Sequence, residues 1–252
     1  MLPSILIVGA QRGGTTSLYQ YLGQHPDVHK PVRKELQYFS LHSERTVAWY
    51  RSHFPQNGDG NRQTLEATPY YLFHPAAAAR AHRVLPDARI LVLLRDPVAR
   101  AFSHFRHNVG LGLEPLSFEQ ALDAEDARLE GERQRLLDDP GYPGVAHRQF
   151  SYFHRGCYAE QLEEWYRHYD REQVMVVLSE ELYRAPDDVF AAVLRFVGLR
   201  PHHLAAFPRH SRQSGPHVPP PSDATRAELR RRYAAANEHL SELLGRAAGW
   251  NG

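Results

Sequence analysis

The stretch from Ser4 to Leu22, SILIVGAQRGGTTSLYQYL, constrains the fold of this chain more than any other. Four apolar residues, Ile5 to Val8, stop at Gly9. A turn carrying Gly13 and Gly14 then opens into Thr15, Thr16 and Ser17, ahead of a helical pattern with Leu18, Tyr21 and Leu22. That order predicts a buried strand, a tight loop and a helix whose first backbone N–H groups face the loop. Such a helix start offers unsatisfied donors and the positive end of the helix dipole, which together favour an anion. The spacing nearly matches the phosphate loop G-x-x-x-x-G-K-[ST]. Gly9, Gly14 and Thr16 fall into place, but Thr15 stands where the lysine belongs.

Similar apolar runs punctuate the rest of the chain. Thr64 to Ala67, Ile90 to Leu94 and Val174 to Leu178 read as strands, the last two apolar on both faces as in a covered parallel sheet. Between them the pattern predicts helices at 47–54, from Pro75 to about Val84, and from Pro97 to about Val109, where Asp96 can cap and Pro97 suits the first turn. The first helix is expected to end near Gln24, ahead of Pro26. Further helices are expected at 118–137, 158–169, 186–197 closed by Gly198, and 223–244, with Thr225 and Glu228 at capping-box spacing. Strands alternating with helices imply one α/β domain over residues 1–252, with a mostly parallel sheet flanked by helices. The polar region 110–150 reads as a helical insertion, and 207–221 as a polar, proline-rich loop.

At 252 residues and 42% hydrophobic content the chain can bury a substantial core, and no apolar run reaches the length of a membrane span. The first strand begins almost at the N-terminus, so no signal peptide is expected. A single cysteine, Cys157, forms no internal disulfide and suits a reducing cytoplasm. A net charge of +1 does not argue for nucleic acid, and the sixteen histidines show no metal-ligand spacing.

Two places carry chemistry. In nucleoside triphosphatases the loop lysine neutralises phosphate charge and the following hydroxyl holds magnesium. With Thr15 in that place and Arg12 as the nearby cation, Gln11 to Ser17 suit an adenylyl phosphosulfate, less charged at its reacting end and held without metal. The second place is RDPVARAFSHF, residues 95–105. Arg95 ends a strand, where open parallel sheets bind ligands. Ser103, two helical turns on, lies on the side of its helix facing back toward Arg95. The pair suits a second phosphate; a salt bridge and a solvent-facing serine explain it equally well.

Taken with these two sites, the stretches GAQRGGTTSLYQYLGQHPDV, KELQYF, LEATPYYL, ILVLLRDPVARAFSHF, RGCYAEQLEEWY and VMVVLSEEL resemble, in order, the sulfotransferases that use 3′-phosphoadenosine 5′-phosphosulfate (PAPS). The likeness is to the branch with the heparan sulfate N- and 3-O-sulfotransferase domains and their bacterial relatives. It implies that Gln11, Arg12, Gly13, Gly14, Thr15, Thr16 and Ser17 wrap the 5′-phosphosulfate and that Arg95 and Ser103 take the 3′-phosphate. Arg12 stands where many relatives carry a lysine that stabilises the leaving phosphate. Glu35 falls where the heparan relatives place their base, and a positioned carboxylate can take the acceptor's proton. On the residues alone, Glu35 and Lys34 would read as a surface pair worth almost nothing. Glu66 is the second candidate base, with His104 and His107 behind it. Relatives follow the Glu66 position with a lysine, and here Ala67 leaves the site one cation short. Tyr158, beside Arg155 and Gly156, is assigned to the cofactor site, as are Arg212 and Gly215 of the 207–221 loop, which stands where relatives close a loop over the nucleotide; 110–150 then falls on the acceptor side. Phe207 reads as an adenine stacker or as core packing.

The implied reaction is sulfuryl transfer from PAPS to a hydroxyl or amine, leaving adenosine 3′,5′-bisphosphate and using no metal. The acceptor is a small molecule, glycolipid or carbohydrate; its identity and the oligomeric state are not legible. Two other readings remain open at this point: a magnesium-dependent P-loop kinase or NTPase, and a nucleotide-binding protein without catalysis.

Overall fold

The strands of the sheet are the apolar runs of the sequence plus one short addition. In the computed structural model, which describes residues 1–55, 62–210 and 218–250, the chain forms β1 (Ile5–Gly9), α1 (Thr15–Leu22), β2 (Val28–His29), α2 (Val47–Ser52), β3 (Gln63–Ala67), α3 (Ala77–Val84) and β4 (Arg89–Leu94). There follow α4 (Pro97–Gly110), α5 (Phe118–Asp123), α6 (Glu125–Leu129), α7 (Glu132–Asp138), α8 (Val145–Gln149) and α9 (Tyr158–Tyr166). The last elements are β5 (Val174–Leu178), α10 (Ser179–Arg184), α11 (Pro186–Phe196) and α12 (Asp223–Leu244). No helix among the described residues is long and apolar enough to cross a membrane.

Among the described residues the five strands make one sheet in the order β2-β3-β1-β4-β5, every pair parallel. The chain builds outward from β1 to one side, with β3 pairing Ile5 to Leu65 and Ile7 to Ala67, and then crosses to β4 on the other. The carboxyl end of β1 is therefore the topological switch point, where the crossovers part and open a crevice for a ligand. The sequence places its glycine loop there.

The chain divides into two compact units, one of Met1–Leu94 with Glu164–Ser211 and the other of Arg95–Glu163 with Arg212–Gly252. In the first, Leu18, Tyr21 and Leu22 of α1 and Phe190, Val193 and Leu194 of α11 bury against Ile5, Ile7, Leu91 and Leu93 of the sheet. Phe207 belongs to this core, edge-on to Tyr21 at 5.0 Å and to Phe190 at 5.6 Å between ring centroids. These contacts are those of the core-packing reading of Phe207.

In the second unit Val98, Ala101 and Phe105 of α4, Phe118 and Leu122 of α5, Tyr152, and Leu229 and Tyr233 of α12 form a separate core. Asp96 caps α4 as expected, accepting from the N–H groups of Val98 at 2.8 Å and Ala99 at 3.3 Å, with Pro97 behind it.

Several local expectations are corrected. The single helix expected over 118–137 is three short ones: the first break falls at Ala124, and at the second Gly131 adopts the left-handed conformation (φ 71°) that interrupts a helix at little cost. The cap of α12 is Ser222, whose extended backbone lets its hydroxyl accept from Thr225 N–H at 3.0 Å. Thr225 is already inside the helix, and Glu228 pairs with Arg231. Helices α1 and α9 stop two and three residues short of their expected ends, at Leu22 and Tyr166. The pattern also missed β2, α8 and α10, all six residues or shorter, too short to show a period.

The polar region 110–150 is held by buried acids. Glu114 accepts two hydrogen bonds from Arg128 (2.6 and 3.1 Å), one from Tyr152 Oη (2.9 Å) and one from Leu116 N–H (3.2 Å). Glu125 accepts from the N–H groups of Phe153 and His154 at 2.6 and 2.9 Å. Glu132 accepts from Tyr142 Oη, from Arg135 at 2.7 Å and from His147 N–H at 3.1 Å. Buried carboxylates need such partners to avoid a large desolvation penalty. Here each acid joins segments that are distant in sequence.

Candidate active site

The loop between β1 and α1 is shaped by contacts that leave no room for side chains. A Cβ on Gly13 would lie 2.6 Å from Leu93 O and 2.9 Å from Ala10 O, both fixed backbone atoms. Gly14 sits at φ 94° as the residue before α1, where a side chain would be strained. Arg12 holds the same left-handed region at φ 68° with a side chain, a cost of about 1 kcal/mol that persists only where surrounding contacts fix it. Helix α1 starts at Gly14 without a side-chain cap, so its first turn presents backbone N–H groups with Thr15, Thr16 and Ser17 beside them. A helix start of this kind can hold an anion, and it stands at the switch point of the sheet.

The loop has supports that sequence reading did not find. Ser179, at the carboxyl end of β5, donates from its hydroxyl to the carbonyl of Gly13. Ser17 Oγ meets Tyr183 Oη of α10 at 3.2 Å and accepts from His210 N–H at 3.1 Å. Tyr21 Oη donates to Pro208 O at 2.8 Å, and the Arg209 guanidinium lies 4.3 Å over the Tyr183 ring. The beginning of the 207–221 loop is thus tied to α1. The remaining signal was slight: the serine following β5 stands at the strand end where ligands of such sheets collect.

Two candidate bases lie in the same unit as the glycine loop. Glu35 is exposed and forms an ion pair with Lys34 at 2.6 Å. Its N–H donates to the carbonyl of Ala67 at 3.1 Å, which sets Lys34 and Glu35 beside the position where the resemblance leads one to expect a lysine. Glu66 is 0% exposed at the end of β3. Its Oε2 accepts from Tyr50 Oη and its Oε1 from Thr68 Oγ1, each at 2.6 Å. Burial pushes its carboxyl up to about 7, against the opposing pull of hydrogen bonds from Thr68, Tyr50 and Tyr71 and of the Lys34 charge.

The other residues named from sequence lie in the second unit. Arg95 directly precedes the Asp96 cap of α4, and Ser103 is half-buried midway along that helix. Tyr158 is buried, and its hydroxyl donates to the carbonyl of Arg95 at 2.8 Å. Arg155 is also buried and donates to the carbonyls of His147 (3.0 Å) and Arg148 (2.8 Å). His104 is buried with its ring 5.0 Å from that of Tyr152. Arg212 and Gly215 lie outside the described residues.

A parallel α/β sheet with a glycine loop of this form at its switch point is the architecture of nucleotide-handling proteins. Residues 2–215 match the sulfotransferase domain family, and the chain belongs to that family. It is 31% identical over 79% of its length to human heparan sulfate glucosamine 3-O-sulfotransferase 3B1, of which it spans 47%. It is 28% identical over its whole length to the mouse 3A1 enzyme, of which it spans 65%. The chain therefore covers about half to two thirds of the length of these curated relatives. The crystal structure of a sulfotransferase from Alicyclobacillus acidocaldarius superposes with a TM-score of 0.76 at 31% identity, over 100% of both chains. The chain is a sulfotransferase domain.

Proposed function

We propose that the domain transfers a sulfuryl group from PAPS to a hydroxyl or amine, with a carbohydrate hydroxyl as the leading acceptor and a glycolipid or small molecule as the other choices. The observation that carries this reading is the glycine loop: a metal-ligand-poor, lysine-free loop of N–H groups and hydroxyls, closed to any side chain at Gly13. Glycine at 13 lets the loop pack onto the Leu93 and Ala10 carbonyls, which fixes the backbone that carries those N–H groups. The named activity of the 3-O-sulfotransferase relatives on heparan sulfate glucosamine supports a sugar acceptor. A net charge of only +1 does not favour a long polyanion.

PAPS, when bound, supplies a sulfuryl group already joined to a good leaving group. Gly13 to Ser17 hold the 5′ anion through N–H groups and hydroxyls, and Arg12 offsets the charge that gathers there during transfer. Arg95 and Ser103 are proposed for the 3′-phosphate, with Tyr158, Arg212 and Gly215 as further donor-side residues. Glu35, exposed and bordered by Lys34, takes the acceptor's proton at its carboxylate. Lys34 supplies the cation that Ala67 does not. The scheme uses no metal, and the single cysteine suits a cytoplasmic setting.

The reading is tested by thermal shift with adenosine 3′,5′-bisphosphate against ATP plus magnesium. Stabilisation by the bisphosphate is expected; stabilisation by ATP and magnesium alone would refute the donor assignment. Glu35→Gln is expected to abolish transfer of labelled sulfate to a sugar panel while keeping the bisphosphate shift.

A further inference from the structure

Three backbone N–H groups of the segment carrying Glu35 point at one neighbour. That of Glu35 donates to Ala67 O (3.1 Å), that of Gln37 to Thr68 Oγ1 (3.4 Å) and that of Phe39 to Tyr71 Oη (3.3 Å). Two of the three acceptors are side-chain hydroxyls, and both converge on Glu66. Tyr50 closes the ring by donating to Glu66 Oε2 while its own ring stacks on Tyr38 at 4.3 Å, with 7° between planes. The segment needs this hold, because Glu35 (φ 63°) and Gln37 (φ 57°) both occupy the left-handed region without being glycine. The stretch after β3 is itself pinned to β1, with Thr68 N–H on Ile7 O (3.1 Å) and Leu72 N–H on Val8 O (2.8 Å).

We propose that Glu66 is a positioning residue for Glu35, its carboxylate setting the path of residues 35–39 through Thr68, Tyr71 and Tyr50. This rests on the reading of Glu35 as the proton acceptor. A group that takes the substrate's proton must come within hydrogen-bond reach of it. Glu66 is fully buried and both its oxygens are already engaged. An ionised Glu66 accepts from the Tyr50 and Thr68 hydroxyls together. Protonation puts a donor where an acceptor was, so one hydroxyl must turn away and the hold on the segment weakens. The groups facing the carboxyl are Tyr19 from α1, Tyr50 from α2, Thr68 and Tyr71 after β3, and Lys34 from the Glu35 segment. Burial opposes the ionised form, and the hydrogen bonds from Thr68, Tyr50 and Tyr71 together with the Lys34 charge favour it.

The experiment compares Thr68→Val, Thr68→Ser and Glu66→Gln with wild type. It reads residue-resolved amide exchange at 35, 37 and 39, and turnover of labelled PAPS with an N-sulfated glucosamine oligosaccharide as probe acceptor. Thr68→Val is expected to speed exchange at Gln37 about tenfold and lower kcat about tenfold, the loss of one ordinary hydrogen bond, with KM for PAPS unchanged. Thr68→Ser restores both. Glu66→Gln lowers kcat by a similar factor without reaching background, and flattens the rise of kcat with pH around neutrality. Wild-type exchange and turnover in Thr68→Val overturns the proposal. So does background activity in Glu66→Gln alongside turnover in Glu35→Gln, which moves the proton acceptor to Glu66. If wild type neither transfers sulfate nor responds to the bisphosphate, the donor reading has failed. The exchange data then decide alone, and amides indifferent to the Thr68 and Glu66 substitutions overturn the positioning role.

Discussion

Replacing Glu66 by Gln is expected to change how stability depends on pH, by an amount set by the burial of the carboxyl. Its ordinary value of 4.5 rises to about 7 in the fold because burial penalises the charged form more than the Thr68, Tyr50 and Tyr71 hydrogen bonds and the Lys34 charge relieve it. Each tenfold displacement of a protonation equilibrium is worth about 1.4 kcal/mol, so keeping this carboxylate ionised inside the fold costs about 3 kcal/mol. The direction follows from proton counting. Between about pH 4.5 and 7 the native protein keeps a proton that the unfolded chain has released, so the unfolding free energy falls as pH rises through that window. Glutamine carries no such proton, and other titrating groups cancel when variant and wild type are compared. Urea denaturation at a series of pH values from about 4.5 to 8 should show the variant gaining about 3 kcal/mol on wild type, most of it below pH 7. A difference that stays constant within about 0.5 kcal/mol, or that moves the other way, would refute the assignment of a strongly raised carboxyl at Glu66.

Three further outcomes follow from other parts of the molecule. Gly13→Ala forces its Cβ against Leu93 O and Ala10 O; the expected loss is about 1–3 kcal/mol together with the bisphosphate thermal shift, and wild-type melting and binding would contradict it. Arg128→Met strips Glu114 of both hydrogen bonds from its cationic partner while leaving it buried, for an expected loss of about 3 kcal/mol in chemical denaturation. Burial works to raise the Glu114 carboxyl, but Arg128, Leu116 N–H and Tyr152 together hold it below its ordinary value. Its contribution is therefore present above about pH 4.5 and lost as pH falls through the lowered value, and acid titration should show that loss in wild type and a weaker one in Arg128→Met. Ser222→Ala removes the α12 cap and should lower stability by about 1 kcal/mol, whereas Thr225→Val, inside the helix, should cost less in the same melts.

Local chemistry made part of this molecule readable from residues alone. Ile5 to Val8, Ile90 to Leu94 and Val174 to Leu178 are strands because a covered parallel strand must be apolar on both faces. Asp96-Pro97 begins α4 and Gly245 follows α12, since a cap and a left-handed stop each work within one turn. The glycine loop, with its hydroxyls and its missing lysine, was legible for the same reason: it works through its own backbone. The motif order then carried the family.

What the pattern could not reach depends on residues far apart in the chain. Nothing local distinguishes Glu66 at the end of β3 from any glutamate in a polar segment. It is a buried, raised carboxyl only because Tyr50, Thr68 and Tyr71 close over it. Glu114, Glu125 and Glu132 lie in a polar stretch of sequence that does not single them out, and they prove to be internal ties. Ser179 supports Gly13 across 166 residues of sequence. The sequence by itself determined four of the sheet's five strands, the glycine loop and the family, since those follow from hydrophobic period, local backbone geometry and motif order. Only the tertiary structure decided which carboxylates are buried and what each one holds, because desolvation and hydroxyl partners exist only once distant segments have packed together.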